Sequence, residues 1–100
     1  MLNYALLVRL EAKPGKEADL EAFLQAGLAM ANDEETTPLW LALRLGPTTF
    51  GIFDAFHDEA GRRAHLEGPI AQALMAKAGE LLAEPPSIAQ VDVLGVKNTA

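Results

Sequence analysis

Two short apolar segments joined by a tight turn constrain the fold of this chain more than any other feature. From Leu39 to Leu45 leucine alternates strictly with other residues, and the segment Phe50–Phe56 follows after Gly46-Pro47-Thr48-Thr49. Alternation with period two is typical of a β-strand, and a turn of this composition joins antiparallel neighbours. The sequence therefore predicts a β-hairpin over residues 39–56.

The pairing that we predict for this hairpin sets Leu45 against Phe50. One face then carries the four alternating leucines together with Phe50, Ile52, Asp54 and Phe56. The reverse face carries Trp40, Ala42 and Arg44 against Gly51, Phe53 and Ala55, so that large residues oppose small ones. Both faces of the hairpin are mostly apolar.

The rest of the chain predicts two further strands and three helices. We expect strands over Leu2–Leu10 and Ile88–Val96, a helix from Lys16, a short helix between Asp58 and Gly68, and a third helix from Pro69. This β-α-β-β-α-α-β order predicts an α+β fold of the ferredoxin-like, split βαβ type. It consists of a four-stranded antiparallel sheet with helices on one face, in a single domain over residues 1–100 with a tail from about residue 97.

The apolar character of both sheet faces predicts a homodimer. The helices cover one face, and in a monomer the other face should be polar. Because that second face is apolar as well, we expect a second copy of the chain to cover it.

Composition and charge exclude several function classes. The net charge of −6 and the lack of a basic cluster argue against nucleic acid and anionic membranes as partners. No cysteine is present, and the two histidines, His57 and His65, lie outside any metal-binding motif, so we expect no metal site. The N-terminal segment has neither a basic leader nor a membrane-spanning length, which predicts a cytoplasmic protein.

The segment from Phe50 to Leu66 carries a family resemblance. A strand ending in acid-x-aromatic, here Asp54 and Phe56, is followed by a helix containing Ala64-His65. With these residues the chain resembles the antibiotic biosynthesis monooxygenase-like (quinol monooxygenase-like) domains, which are dimeric α+β barrels, over about Leu2–Val96. The resemblance implies a monooxygenase that needs no cofactor and acts on a quinol or a similar electron-rich aromatic.

The chain departs from the family pattern at four places. Its hairpin turn is shorter than usual, Asp54 stands where glutamate is common, and Phe56 stands where many members have Trp or Tyr. The third helix has no histidine in Ala71–Ala76, the region where haem-degrading relatives hold the axial ligand. Haem degradation is therefore disfavoured.

His65 and Asp54 are the candidate catalytic residues. If the helix of His65 packs on the sheet, Asp54 can accept one ring N–H and leave the other nitrogen free to take a substrate proton. The competing interpretations are a packing histidine and a structural ion pair of Asp54 with Arg9, Arg44 or His65.

The candidate substrate-binding residues lie on three strands. We expect them to be Phe50, Ile52, Phe56, Trp40, Arg44 and Asn3. Trp40 and Arg44 can clamp an anionic aromatic molecule, or they can instead lie in the dimer interface. Asn3, with Tyr4, can donate a hydrogen bond to a developing oxyanion.

Two alternatives to the monooxygenase remain open. One is a non-catalytic module, such as a stress-related protein, that binds a small apolar ligand. The other is an isomerase or decarboxylase of small metabolites.

Overall fold

The computed structural model describes residues 1–97, which form four strands and three helices around one sheet. The elements are β1 (Tyr4–Glu11), α1 (Glu17–Asn32), β2 (Leu39–Arg44), β3 (Thr49–Phe56), α2 (Glu59–Leu66), α3 (Pro69–Leu81) and β4 (Ser87–Asp92). Their order and type confirm the predicted ferredoxin-like α+β fold. The tail predicted from residue 97 lies, apart from Lys97, outside the described residues.

The sheet is fully antiparallel, with strand order β2-β3-β1-β4. On the two central strands the even-numbered residues face the helices, and they supply much of the buried core. Core members from the sheet are Val8, Leu10, Phe50 and Ile52, and those from the helices include Leu20, Leu24, Leu74 and Leu81. One hydrophobic core therefore lies between the sheet and a single helix layer.

The hairpin register differs from the prediction by one residue. Arg44, rather than Leu45, is paired with Phe50, and the N–H of Leu45 donates to the carbonyl of Thr49 at 2.8 Å. The turn therefore has one residue fewer than predicted, and a shift of one residue moves every β2 side chain to the opposite face. Trp40, Ala42 and Arg44 point toward the helices, while the alternating leucines lie on the outer face.

Contacts distant in sequence explain this shorter turn. The hydroxyls of Thr48 and Thr49 donate to the two carboxylate oxygens of Glu11, each at 2.6 Å. The N–H of Ala12 also donates to the carbonyl of Thr48 at 2.9 Å. These bonds fix Thr49 as the first residue of β3, and local turn preferences do not reveal them.

The helix boundaries follow local chemistry. Gly15, at φ +85°, turns the chain ahead of α1 in a conformation that glycine adopts without strain. The carboxylate of Asp58 accepts the N–H of Gly61 at 2.7 Å, which confirms the predicted N-cap of α2. Pro69 is the first residue of α3, as predicted. Among the described residues no helix has the length and apolarity needed to cross a bilayer.

The last strand is shorter than predicted, because β4 ends at Asp92 rather than Val96. Its partner β1 begins at Tyr4, so only one further backbone bond forms, from the N–H of Val93 to the carbonyl of Asn3 at 2.9 Å. Beyond it Leu94 is 96% exposed. The chain thus ends its described part with an apolar segment that contacts little of its own domain.

Candidate functional site

Three ionisable side chains meet at one end of the helix-covered sheet face. Asp54 comes from β3, His65 from α2, and Glu34 from the loop that follows α1. We call these three residues the carboxylate–histidine cluster. Their side chains are only 1%, 7% and 13% exposed respectively, so the cluster is almost entirely shielded from solvent.

The imidazole of His65 lies between the two carboxylates. Its Nδ1 is 2.6 Å from Oε1 of Glu34, and its Nε2 is 2.8 Å from Oδ2 of Asp54. The first contact is a well-aligned hydrogen bond, whereas the second is close in distance but poorly directed, so we treat it as an ion pair. The ring of Phe56 packs beside the imidazole, with centroids 5.5 Å apart.

The cluster favours the protonated form of His65. Burial by itself lowers the pKa of the imidazole, but the adjacent Asp54 and Glu34 outweigh burial and raise the pKa above 6.5. A protonated ring donates from both nitrogens, one toward each carboxylate. The expectation that one ring nitrogen stays free is therefore wrong, because Glu34 occupies it.

The ion pair of Asp54 with His65 agrees with one of the interpretations left open by the sequence. Arg44 instead pairs with Glu21 of α1, and Arg9 is exposed. Three carboxylate oxygens of the cluster are buried without a directed hydrogen bond, namely Glu34 Oε2 and both oxygens of Asp54. Buried acceptors in this state are costly unless another group approaches them.

Glu34 and Thr37 are members of the site that the sequence did not reveal. The hydroxyl of Thr37 donates to Oε1 of Glu34 at 2.9 Å, and Thr37 is itself buried. Both residues lie in the polar stretch after α1, where Glu34 and Glu35 stand side by side. The neighbouring sequence does not distinguish these two glutamates. Glu34 rather than Glu35 contacts His65 because of the way α2 packs against this loop.

An apolar cavity of about 60 Å³ lies between α1, α3 and the sheet. Its wall consists of apolar residues from both helices and from the sheet: Phe23, Leu24, Ala26, Gly27, Met30, Trp40, Ile52, Ile70, Ala73 and Leu74. Such a wall suits an uncharged, apolar molecule.

Asp54 borders this cavity without lining it. On β3 it is two residues from Ile52 and on the same face, and across the hairpin it is paired with Trp40. Ile52 and Trp40 both line the cavity, so two of the immediate neighbours of Asp54 form part of its wall. The indole N–H of Trp40 is buried and has no partner in the described part of the chain, so no hydrogen bond from those residues fixes the ring in place.

The predicted substrate-binding residues do not form one group. Ile52 and Trp40 line the cavity, and Phe56 contacts His65. Phe50 is four residues from Asp54, or about 13 Å along the strand, and the guanidinium of Arg44 lies over its ring at 4.6 Å. Asn3 is exposed and precedes β1, where its backbone carbonyl accepts a bond from Val93.

The interpretation of Trp40 and Arg44 as interface residues is wrong, because in this register both point toward the helices. Trp40 packs against Gly27 of α1, and a Cβ at that glycine would lie 3.3 Å from the indole ring. Arg44 pairs with Glu21 on the same helix.

Within residues 1–97 no three acidic or histidine side chains are arranged to hold a metal ion.

Comparison with known proteins places this geometry in a family. No family model and no curated protein matches the chain. Among solved structures, a protein of unknown function from Nitrosomonas europaea is 58% identical, covers 100% of this chain and 97% of its own, and has a TM-score of 0.97.

More distant structures share the fold. One, described as "Putative antibiotic biosynthesis monooxygenase", is also from Nitrosomonas europaea; it is 18% identical, with a TM-score of 0.81 over 92% of this chain and 90% of its own. Another of the same description, from Chloroflexus aurantiacus, is 20% identical, with a TM-score of 0.74 over 98% of this chain and 99% of its own. The chain therefore belongs to the family of the Nitrosomonas europaea protein of unknown function, and its fold is that of the antibiotic biosynthesis monooxygenase-like domains.

Proposed function

We propose that this protein is a monooxygenase that needs no cofactor and oxidises a small electron-rich aromatic molecule, such as a one-ring quinol, in the apolar cavity. The observation that carries the proposal is a buried carboxylate, Asp54, placed beside a wholly apolar cavity. The fold shared with structures described as monooxygenases supports it. A dry pocket with one adjacent base is what the deprotonation of a phenol requires.

The cavity volume limits the substrate to a small molecule. At about 60 Å³ the cavity is less than half of the roughly 150 Å³ that accepts benzene in an engineered protein core. A single ring therefore enters only if part of the wall moves. Met30 is flexible and Trp40 has no hydrogen bond, so these two side chains are the ones that we expect to move.

Asp54 takes the role of the base in this proposal, and His65 acts as a positioning residue. Both ring nitrogens of His65 face carboxylates, whereas Oδ1 of Asp54 has no partner within residues 1–97. When Trp40 moves aside, Oδ1 accepts the phenolic proton of the substrate. His65 holds the carboxylate of Asp54 in place through its 2.8 Å contact.

The chemistry that follows belongs to the substrate and dioxygen. The phenolate gives one electron to dioxygen, and the resulting substrate radical and superoxide combine to form a carbon–oxygen bond. The peroxide anion takes back the proton from Asp54 and loses water, so one oxygen atom enters the product as a quinone carbonyl and the other leaves as water. The protein supplies the base, the exclusion of water and the orientation of the ring.

A second candidate function is the binding of a small apolar ligand without catalysis. The specific observation in its favour is that no ionisable residue lines the cavity, while both oxygens of Asp54 are buried. In that case the carboxylate–histidine cluster has a structural role only.

Oxygen consumption with a panel of one-ring quinols separates the two candidates. The wild type should consume oxygen without added metal or cofactor, and Asp54→Asn should lose about 10²–10⁴-fold in kcat, as expected for loss of a general base. His57→Gln is the control, because His57 is exposed and lies outside the cluster. Equal turnover by Asp54→Asn contradicts the proposal, and tight binding without oxygen consumption supports the ligand-binding function.

We further propose that a second copy of the chain covers the outer face of the sheet. That face carries leucines of β2, with Phe53, Leu7 and Val91 from the other strands. Leu7 and Leu41 are 41% and 45% exposed, although monomers rarely expose a continuous apolar surface of this kind. A stable dimer needs about 800 Å² from each partner, and a four-stranded sheet face is of that order.

Sedimentation of Leu41→Lys tests the dimer. A lysine at this position places charge within the proposed interface, so we expect the variant to sediment as a monomer while the wild type sediments as a dimer. Met75→Lys is the matched control, because Met75 is 58% exposed on α3, away from the sheet. A monomeric wild type, or a Leu41→Lys variant that stays dimeric, contradicts this proposal.

A further inference from the structure

We propose that Glu34 is the outer end of a proton path that connects His65, the ion-pair partner of Asp54, to solvent. This inference rests on the proposed function, because the path lets the cluster keep its charge while Asp54 holds the proton taken from the substrate. It gives a role to the one carboxylate of the site that the oxygenation chemistry leaves unused. Glu34 is a positioning residue in this scheme, because it does not contact the substrate.

The contacts form an unbroken chain of proton-transfer distances. Asp54 Oδ2 to His65 Nε2 is 2.8 Å, and His65 Nδ1 to Glu34 Oε1 is 2.6 Å. The exposed fraction of the side chain rises along this series of contacts, from 1% at Asp54 to 13% at Glu34. The path therefore leads from the buried side of the cluster toward the surface.

The charge of the cluster also favours proton uptake. With His65 protonated, two carboxylates and one imidazolium leave a net charge of −1 in a buried place, and three carboxylate oxygens lack directed hydrogen bonds. A buried net charge is costly, and one more proton would neutralise it. The cluster can therefore take the substrate proton at Asp54, and release of the Nδ1 proton through Glu34 then restores its charge of −1.

The transfer balances when the protons are counted. The substrate proton goes to Oδ1 of Asp54, while the Nδ1 proton of the imidazolium passes to Oε1 of Glu34, which gives it to water. One proton thus leaves the substrate and one reaches solvent, and His65 is left neutral with its proton on Nε2. When Asp54 returns its proton to the peroxide anion, Glu34 takes a proton from water and passes it to Nδ1, which restores the starting form of His65.

Few other groups contact His65 from the elements packed against it. Asp54 faces it from β3, Glu34 from the loop after α1, and the uncharged hydroxyl of Thr37 lies 3.4 Å from Nδ1. Thr37 also donates to Glu34 and so holds it against the ring. Arg62, one turn earlier on α2, instead bonds to backbone carbonyls of Ala5 and Val91.

The test compares Glu34→Gln with Glu35→Gln by NMR of the His65 ring. Glutamine keeps the shape of Glu34 but cannot take a proton. We expect the pKa of His65 to fall and the exchange of its ring N–H protons with water to slow by at least about tenfold. The exposed neighbour Glu35 carries the same charge, so Glu35→Gln should change neither quantity.

Each outcome decides the inference. An unchanged exchange rate in Glu34→Gln overturns the proton path, even if the pKa falls, because Glu34 would then act only as an ion-pair partner. Thr37→Val should weaken the same effects without removing the carboxylate, and Thr36→Val is its exposed control. If Glu34→Gln slows the exchange but the wild type oxidises no quinol, the oxygenase is refuted and the path itself stands.

Discussion

Replacement of His65 by alanine gives the sharpest stability prediction for this molecule. The substitution removes the one cation between two buried carboxylates, Asp54 and Glu34, and leaves both without a counter-charge. Removing one partner of a buried ion pair costs about 3–5 kcal/mol, against a total stability of roughly 5–15 kcal/mol for a domain. For a chain of this size that loss lowers Tm by roughly 12–40 °C.

The pH dependence of this effect has a definite sign. Because the pKa of His65 is raised in the folded state, the stabilisation is fully present below the ordinary value of 6.5. It is lost as the pH rises through the folded-state pKa. The difference between wild type and His65→Ala should therefore be largest near pH 6 and should narrow toward pH 9.

Urea denaturation followed by circular dichroism measures this difference. Both proteins are studied at the same concentration, so that any contribution of association to stability is the same in each. His57→Ala is the matched control, because His57 is exposed and makes, among the described residues, one polar contact, a 3.4 Å approach to the carbonyl of Met1. A loss below about 1 kcal/mol that does not vary with pH would refute the ion-pair account of the cluster.

Three further substitutions test other parts of the structure. Asp58→Ala removes the cap on the N–H of Gly61 and should cost about 1 kcal/mol in urea denaturation, with unchanged stability refuting the cap. Gly27→Ala should push the ring of Trp40 into the cavity and change its fluorescence; an unchanged spectrum contradicts the close packing seen here. Ala73→Leu should occupy much of the cavity and weaken ligand binding, so unchanged binding would place the ligand elsewhere.

The element order was accessible from the sequence because each boundary has a local cause. Proline at the start of α3 and the Asp58 cap of α2 are properties of neighbouring residues. The alternation of Leu39–Leu45 likewise identifies a strand without reference to the rest of the chain. These local rules agree with the tertiary structure, and the fold follows from them.

The hairpin register was not accessible, because the turn closes between Leu45 and Thr49, and Thr49 is held by Glu11, nearly forty residues earlier. This register decides which β2 residues face the helices. It places Trp40 in the cavity wall rather than on the outer face of the sheet. Strand alternation alone therefore does not show which side chains line a site, because a shift of one residue exchanges the two faces.

The candidate site was accessible only in part. Asp54 stands out as a carboxylate in an apolar strand, and the resemblance pointed to His65, so their proximity could be anticipated. Glu34 could not, since it lies in a polar loop beside an equivalent glutamate. Its contact with His65 reverses the expected roles, because the histidine loses its free nitrogen and the aspartate keeps a free oxygen.

The most direct test of the proposed function is the fate of ¹⁸O₂ during turnover of a one-ring quinol by metal-free protein. We predict one labelled oxygen atom in the quinone product, and a loss of about 10²–10⁴-fold in that labelling rate for Asp54→Asn. A product without label, or the same labelling rate in both proteins, would contradict the assignment of Asp54 beside the cavity as the base of an oxygenase.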